Sequence, residues 1–99
     1  MTKADLVDQI SAGTGLTKIE TKAVVEGFMT AVSQALKRGD RIELRGFGSF
    51  EVQHRAARMA RNPQTNEPVE VDARYVPVFN VSDKLQEAVD QALKEEDKT

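Results

Sequence analysis

The stretch 55–67 reads R-A-A-R-M-A-R-N-P-Q-T-N-E and places three arginines, Arg55, Arg58 and Arg61, among small residues. Apart from Met59, no side chain in it can contribute to a core. The N-P-Q-T-N that follows the last arginine is rich in residues typical of turns. Such a segment either stays loose in water or binds an external partner that is polyanionic and narrow.

Two strands are predicted before this stretch. Ile42 and Leu44 alternate with charged residues, a period of two that indicates a half-buried strand. Residues 46–48, G-F-G, predict a tight turn, and Phe50 and Val52 mark the strand that follows. The arginine-rich stretch therefore continues directly from a strand.

A third extended run returns over residues 69–79. Its valines change parity along the run, which predicts a β-bulge near residues 72–73. Pro68 and Pro77 restrict the run to strand ends or to a sheet edge. The simplest connection between the second and third strands is one long antiparallel hairpin with its tip at residues 62–67.

Two helices are predicted ahead of the strands. Thr2 and Thr17 each precede an acidic residue by three positions, the form of a capping box. Gly13 or Gly15 ends the first helix, and Gly39 follows the end of the second. The short connection between the two helices predicts a helical hairpin.

A third helix is predicted after the strands, with Ser82 as its cap. Its apolar stripe consists of Leu85, Ala88, Val89, Ala92 and Leu93. Residues 94–99 are mostly charged and predict a frayed tail. The chain is thus a single α+β domain with two N-terminal helices, a three-stranded antiparallel sheet carrying a long β-hairpin arm, and a C-terminal helix. We assign residues 1–52 and 75–93 to the body and residues 53–74 to the arm.

The composition limits the classes of function. The 99 residues include no cysteine, which excludes disulfides and thiolate metal sites. No long apolar run or basic leader is present, so we expect a soluble, cytoplasmic protein without a membrane partner. The net charge is −2, yet residues 53–66 contain three arginines and no acid, so the positive field is local. A chain this small commonly gains stability by oligomerisation.

The arm fits the minor groove of duplex DNA. Ten extended residues, 53–62, span about 33 Å at 3.3 Å each, and the groove is about 6 Å wide. Small alanines keep the ribbon thin, and the arginines supply charge for phosphates. Two alternatives remain open: residues 53–61 form a short basic helix, or the arginines are an ordinary solvated surface. Pro63 serves either as a turn residue or as an apolar wedge between base pairs.

Other candidate sites are weaker. The four phenylalanines fit a core or a subunit interface better than a platform for stacking bases, because they do not alternate with basic residues on neighbouring strands. His54 has no cysteine or second histidine for a metal site, and we interpret it as an exposed strand residue. No catalytic set or phosphate loop emerges. We therefore expect no enzyme activity, metal, cofactor or small-molecule ligand.

Three motifs resemble the bacterial histone-like HU and integration host factor family. They are G-F-G-S-F at 46–50, R-N-P-Q-T at 61–65 and V-P-V-F at 76–79, and the match spans nearly the whole chain. The resemblance implies an intertwined dimer of the bacterial nucleoid, formed with an identical or a paralogous subunit. Its two arms would embrace double-stranded DNA in the minor groove, and Pro63 of each arm would intercalate.

The resemblance also implies two sets of site residues. Candidate DNA contacts are Lys3, Gly46, Gln53, Arg55, Arg58, Arg61, Asn62, Pro63, Gln64, Thr65, Arg74 and Lys84. Candidate residues of the dimer interface are Phe28, Val32, Leu44, Phe47, Phe50, Val78 and Phe79.

The chain departs from the family pattern at the arm tip and on the body. Asn66 replaces a usual tip glycine, and asparagine tolerates the left-handed conformation that a turn requires; Ala60 replaces the usual glycine before the tip arginine. Asn80, Asp83 and Gln86 occupy positions that are generally basic in the family, where bent DNA follows the sides of the body. We therefore expect the arms to provide most of the grip, with a short footprint.

These observations predict a non-enzymatic, nucleoid-associated protein that bends or compacts duplex DNA with little sequence specificity. The acidic balance leaves an alternative of another class, a dimeric interaction or scaffold protein on the same fold with weak or lost DNA binding. Binding of single-stranded DNA or RNA is a third option. Salt dependence of duplex binding separates the first two.

Overall fold

The computed structural model describes residues 1–97, and over this range it contains three helices and five strands. The elements are α1 (Lys3–Thr14), α2 (Lys18–Lys37), β1 (Ile42–Leu44), β2 (Gly48–Arg55), β3 (Arg58–Arg61), β4 (Pro68–Val71), β5 (Arg74–Val81) and α3 (Asp83–Asp97). None of these helices is long and apolar enough to cross a membrane. The α+β class and the order of elements predicted from the sequence are confirmed.

Both N-terminal helices begin and end at the predicted signals. The side-chain oxygens of Thr2 and Thr17 accept hydrogen bonds from backbone N–H groups three residues on, at 3.3 and 3.1 Å. Of the two candidate glycines for the end of α1, the structure uses Gly15, at φ +79°. Gly39 follows α2 at φ +81°. These caps satisfy backbone groups that a helix end leaves unpaired.

The strands form two sheets that share one register. The body sheet has the antiparallel order β1-β2-β5, and β3 and β4 form a separate two-stranded ribbon. The ladder between β2 and β5 ends at the pair Arg55–Arg74, and the ribbon begins at the pair Arg58–Val71. Two residues on each side separate the ladders, so the register passes through the gap unchanged.

The predicted β-bulge is therefore wrong, because neither strand carries an extra residue. The valines change parity for a different reason: β5 carries apolar side chains on both faces of the sheet. Val76 and Val78 are opposite Gln53 and Glu51, whereas Phe79 is opposite Phe50 on the other face. A proline in the middle of β5 is tolerated because β5 is an edge strand, as predicted.

Each face of the body sheet has its own character. The inner face is apolar and consists of Phe50, Val52, His54, Tyr75, Pro77 and Phe79. The outer face is mainly polar and consists of Arg41, Glu43, Ser49, Glu51, Gln53, Arg55, Arg74 and Asn80, with Val76 and Val78 as its apolar members. On the inner face the ring centroids of Phe50 and Phe79 are 4.8 Å apart, and those of His54 and Tyr75 are 4.9 Å apart.

The turn before β2 brings two backbones into close approach. Gly46 adopts φ +81°, and the Phe47 N–H donates to the Leu44 carbonyl at 2.9 Å. A Cβ on Gly48 would lie 2.5 Å from the Asn80 carbonyl oxygen and 2.6 Å from the Phe79 ring. Glycine is therefore required at Gly48 by space rather than by its backbone angles.

Helix α3 starts against this turn and extends further than the sequence predicted. Ser82 Oγ accepts from the Leu85 N–H at 3.1 Å, as expected of a cap, and also donates to the Gly46 carbonyl at 3.0 Å. The prediction of a frayed tail from residue 94 was wrong through Asp97, because the helix continues to that residue. The last two residues of the predicted tail lie outside the described range.

A single chain buries few of its hydrophobic side chains. Val7 is the one buried hydrophobic residue between residues 1 and 97, and no residue of α3 in that range is buried. The radius of gyration is 19.0 Å, whereas a compact domain of this length has about 13 Å. The accessible surface is 8295 Å², against about 5,600 Å² for a folded monomer of this mass. The body and the arm therefore leave a large apolar surface exposed, and no other part of the described chain covers it.

Candidate nucleic-acid interface

The arm is an extended two-stranded ribbon, as predicted by the interpretation of this stretch as a long antiparallel hairpin. Strand β3 pairs antiparallel with β4, from Arg58–Val71 to Arg61–Pro68. The alternative of a short basic helix is wrong, because Arg58 to Arg61 are strand residues. In the described range β3 and β4 pair with each other and with no other strand.

The tip of the arm is closed by hydrogen bonds centred on Asn62. Its N–H donates to the Glu67 carbonyl at 2.9 Å, and its carbonyl accepts from the Asn66 N–H at 2.7 Å. Its side-chain oxygen accepts from the Gln64 N–H at 2.9 Å. Asn66 has φ +59°, so the left-handed position predicted from the sequence is confirmed. Pro63 is exposed at the turn, with its ring available to a partner.

The three arm arginines have different environments. Arg55 Nη2 is 3.5 Å from Gln53 Oε1, and Arg61 Nη1 donates to the Asn66 carbonyl at 3.1 Å. The Arg58 side chain makes no hydrogen bond or ion pair with the described part of the chain. Arg61 therefore supports the tip as well as offering charge, whereas Arg58 is free to contact an external anion.

The return strand carries acids that lie just beyond the acid-free stretch 53–66. Glu67, Glu70 and Asp72 follow the tip, and all three are exposed. Glu70 lies opposite Met59, so it shares a face of the ribbon with Arg61. The positive field of the arm is thus concentrated on β3 and weaker on β4.

A polar network covers the outer face where the arm leaves the body. Glu51 accepts hydrogen bonds from Gln53 Nε2 at 3.2 Å and from Asn80 Nδ2 at 3.0 Å. Arg41 Nη1 lies 3.7 Å from the other oxygen of Glu51. The hydrogen bonds from Gln53 and Asn80, with the nearby charge of Arg41, hold the pKa of Glu51 below its usual value. Arg74 is exposed on the same face, opposite Arg55.

The candidate contacts on the body are scattered rather than clustered. Lys3 Nζ forms an ion pair with Glu26 Oε1 at 3.0 Å, and this contact lowers the pKa of Glu26. The Gly46 carbonyl accepts the Ser82 hydroxyl. Lys84 is exposed in the first turn of α3, next to Asp83. The structure therefore joins Gln53, Arg55 and Arg74 to the base of the arm and leaves the body residues apart.

Three candidate residues of the dimer interface, Phe47, Phe50 and Phe79, form one aromatic cluster. Phe79 contacts both Phe47 and Phe50 in tilted arrangements, with ring centroids 5.3 and 4.8 Å away. Phe28, Phe47 and Phe79 nevertheless remain 49%, 48% and 41% exposed. Val32 and Leu44 are half-buried. Val78 lies on the outer face opposite Glu51, so the structure separates it from this group.

The structure offers few features for other chemistry. Between residues 1 and 97, no three histidine or acidic residues are grouped closely enough to hold a metal ion. His54 packs edge-on against Tyr75 at the base of the arm and is exposed, as the sequence interpretation expected. The ribbon and the polar outer face remain the features that can contact a large polyanion.

Comparison with known proteins identifies one family to which the chain is similar. A family model described as "Bacterial DNA-binding protein" matches residues 1–90. The integration host factor subunit alpha of Azoarcus sp. (strain BH72) is 44% identical over 91 residues, which cover 92% of this chain and 88% of that subunit. The DNA-binding protein HU-alpha of Vibrio cholerae is 44% identical over 89 residues, which cover 90% of this chain and 99% of that protein. The Anabaena HU–DNA cocrystal structure superposes with a TM-score of 0.82 at 39% identity, covering 90% of this chain and 97% of that one.

Proposed function

The chain belongs to the family of bacterial DNA-binding proteins, and we propose that it is a dimeric architectural protein that bends duplex DNA with two minor-groove arms. The observation that supports this proposal is an exposed ribbon that carries Arg58, whose side chain is unpaired in the described chain, and a proline at its tip. The Arg58 side chain has no hydrogen bond or ion pair with the described residues, and the hydrogen bonds that close the tip do not involve Pro63. Its relatives carry the names of HU and integration host factor, and one neighbour is an HU–DNA cocrystal.

The dimer is proposed because the apolar surface of a single chain is too large to remain in water. An open groove of about 590 Å³ separates the end of α2 from the inner face of the sheet, and Leu36, Val52 and Pro77 line it. On α3, Val89 and Leu93 are 48% and 56% exposed. A second chain that placed its apolar surface here would supply the core that one chain lacks, as in obligate dimers.

The arms grip DNA by charge and by shape. Arg58, with Arg55 and Arg74 at the base, contacts phosphates and the groove floor. Pro63 enters a base step and unstacks it, which costs a few kcal/mol and bends the duplex. Few side chains are placed for base readout, so sequence preference arises from the deformability of the DNA. The protein acts in the nucleoid of the cytoplasm and catalyses no reaction.

The body contributes little to wrapping of DNA. Asn80 and Gln86 are uncharged, and Asp83 adds a negative charge beside Lys84. Asn80 is also engaged with Glu51. If each of the six arm arginines of a dimer neutralises one phosphate, the slope of log K against log salt is about −5. A markedly steeper slope, or a long footprint, contradicts an arm-dominated grip.

The test is a salt titration of duplex binding by the wild type and the Arg58→Ala variant. Because the Arg58 side chain has no hydrogen bond or ion pair with the described part of the chain, we expect its truncation to leave the fold unchanged. We expect weaker binding and a slope shallower by up to about two, one phosphate for each subunit. Fluorescence anisotropy of a labelled duplex at several salt concentrations measures both.

The matched control is Lys94→Ala, which removes one positive charge from α3, where Lys94 pairs with Asp90 at 3.0 Å. We expect this variant to bind like the wild type. Equal, salt-insensitive binding by all three proteins would instead support the scaffold alternative. Competition by single-stranded DNA or RNA as efficient as by duplex would contradict the minor-groove mode.

A further inference from the structure

Glu51 occupies the centre of the outer face, between groups that a phosphate would otherwise bind. Arg41 reaches it from β1, Gln53 from the neighbouring position on β2, and Asn80 from β5. The side chain of Glu51 is 28% exposed, whereas that of Arg41 is 62% exposed. The carboxylate thus lies low on the sheet, with its donors arranged around it.

The network extends toward the arm through Gln53. Its amide nitrogen donates to Glu51, which orients its carbonyl oxygen toward Arg55 Nη2, 3.5 Å away. One carboxylate therefore restrains two arginines, Arg41 directly and Arg55 through an intervening amide. Both arginines lie on the face that continues into the arm.

We propose that Glu51 is a positioning residue that limits DNA affinity, by competing with the phosphate backbone for Arg41 and by restraining Arg55. This inference rests on the proposed function, since it assumes that the outer face meets DNA. A phosphate offers the same kind of anionic acceptor as the Glu51 carboxylate, so binding must exchange one contact for the other. The exchange reduces the counterions released for each arginine, and the remaining carboxylate repels the phosphate.

The variant Glu51→Gln tests the proposal because glutamine keeps the shape and one acceptor oxygen but removes the charge. We expect the dissociation constant for a duplex to fall by up to about fivefold for each subunit, the upper range for one exposed ion pair. The slope of log K against log salt should steepen by up to about two for a dimer, as Arg41 becomes available to phosphate. Unchanged affinity and slope would overturn the proposal.

Glu43→Gln is the matched control. Glu43 lies opposite Ser49 on the same outer face, and it forms no ion pair with the described part of the chain. Its removal takes away the same charge without releasing an arginine. If this variant steepens the slope as much as Glu51→Gln does, the effect is general repulsion and the specific role of Glu51 is wrong.

A double-mutant cycle with Arg41→Ala isolates the competition. In the wild type we expect Arg41→Ala to change the affinity little, whereas in the Glu51→Gln background it should abolish most of the gain. An equal loss in both backgrounds would overturn the proposal. If Arg58→Ala weakens binding but Glu51→Gln has no effect, this inference fails alone; if wild type and Arg58→Ala bind equally without salt dependence, the proposed function itself fails.

Discussion

Gly48 shows how one residue without a side chain determines the contact between two strands. The Asn80 carbonyl and the Phe79 ring occupy the space where a Cβ would be. The Asn80 carbonyl oxygen belongs to the backbone and cannot move aside alone, so an added methyl group must shift the backbone of β2 or β5 as well as displace the Phe79 ring. The substitution would therefore disturb the packing of Phe47, Phe50 and Phe79, which join the turn to the inner face of the sheet.

We predict that Gly48→Ala lowers the free energy of unfolding by about 1–3 kcal/mol, the usual range for an overpacked site. Gly13→Ala is the matched control, because a Cβ there would meet no atom within 4 Å. In a helix that change should stabilise by up to about 1 kcal/mol. Urea denaturation of both variants measures the difference, and similar stabilities would contradict the steric argument.

At this scale the sequence predicted local geometry well and pairwise contacts poorly. The left-handed position of Asn66 followed from its residue type, since asparagine tolerates positive φ. The network around Glu51 could not be predicted, because it depends on which residues three strands place side by side. The role of Gly48 also required the position of β5, since its backbone angles are ordinary.

Among the elements, the arm is the one whose structure depends least on packing. Its tip is closed by hydrogen bonds of Asn62 and Arg61, and none of these involves Pro63. The ribbon is separated from the body ladder by two unpaired residues on each side. A two-stranded ribbon of this kind is marginally stable in water, so we expect the arm to gain order when it meets a partner.

We predict that Pro63→Ala retains the tip turn and most of the affinity for DNA but reduces the bend, because the wedge is lost. Energy transfer between dyes at the two ends of a short duplex measures the bend. The control Gln64→Ala changes a neighbouring side chain of the same turn and should leave the bend unchanged. Wild-type bending by Pro63→Ala would show that Pro63 has only its turn role.

The boundaries of an element could be predicted from the sequence where a capping residue marks its end. Thr17 and Gly39 fixed the limits of α2, because caps act within one turn of the helix. Two elements were not bounded correctly. The gap at residues 72–73 was mistaken for a bulge because β5 is apolar on both faces, and α3 extends to Asp97, beyond its last apolar residue, Leu93.

For the whole molecule, the distribution of exposed apolar surface is the property that bears most on its oligomeric state. The chain folds into a body and an arm without enclosing a core, since Val7 is its one buried hydrophobic residue between residues 1 and 97. The sequence predicted the apolar stripe of α3 but gave no measure of how little apolar surface a single chain covers. That measure required the arrangement of the helices around the inner face.

We predict that Val89→Glu prevents dimer formation and unfolds the protein at micromolar concentration. Val89 is 48% exposed in one chain, so the added charge would be harmless if the monomer were the folded unit. Gln91→Glu adds the same charge to α3 two residues away and should be tolerated. Sedimentation equilibrium and thermal melts at several concentrations distinguish the two, and a stable monomeric Val89→Glu variant would contradict the proposed dimer.

The unbroken register from the body into the ribbon has a consequence for how such proteins diverge. A single residue gained or lost on one strand would either turn the side chains beyond it to the other face or require a β-bulge. Insertions and deletions that keep the register therefore occur in compensating pairs, one on each strand. Arm length in descendants of this gene would then change by matched additions on both sides of the tip. A reach that evolves in such discrete steps would also change the span of double helix held by each molecule in discrete steps.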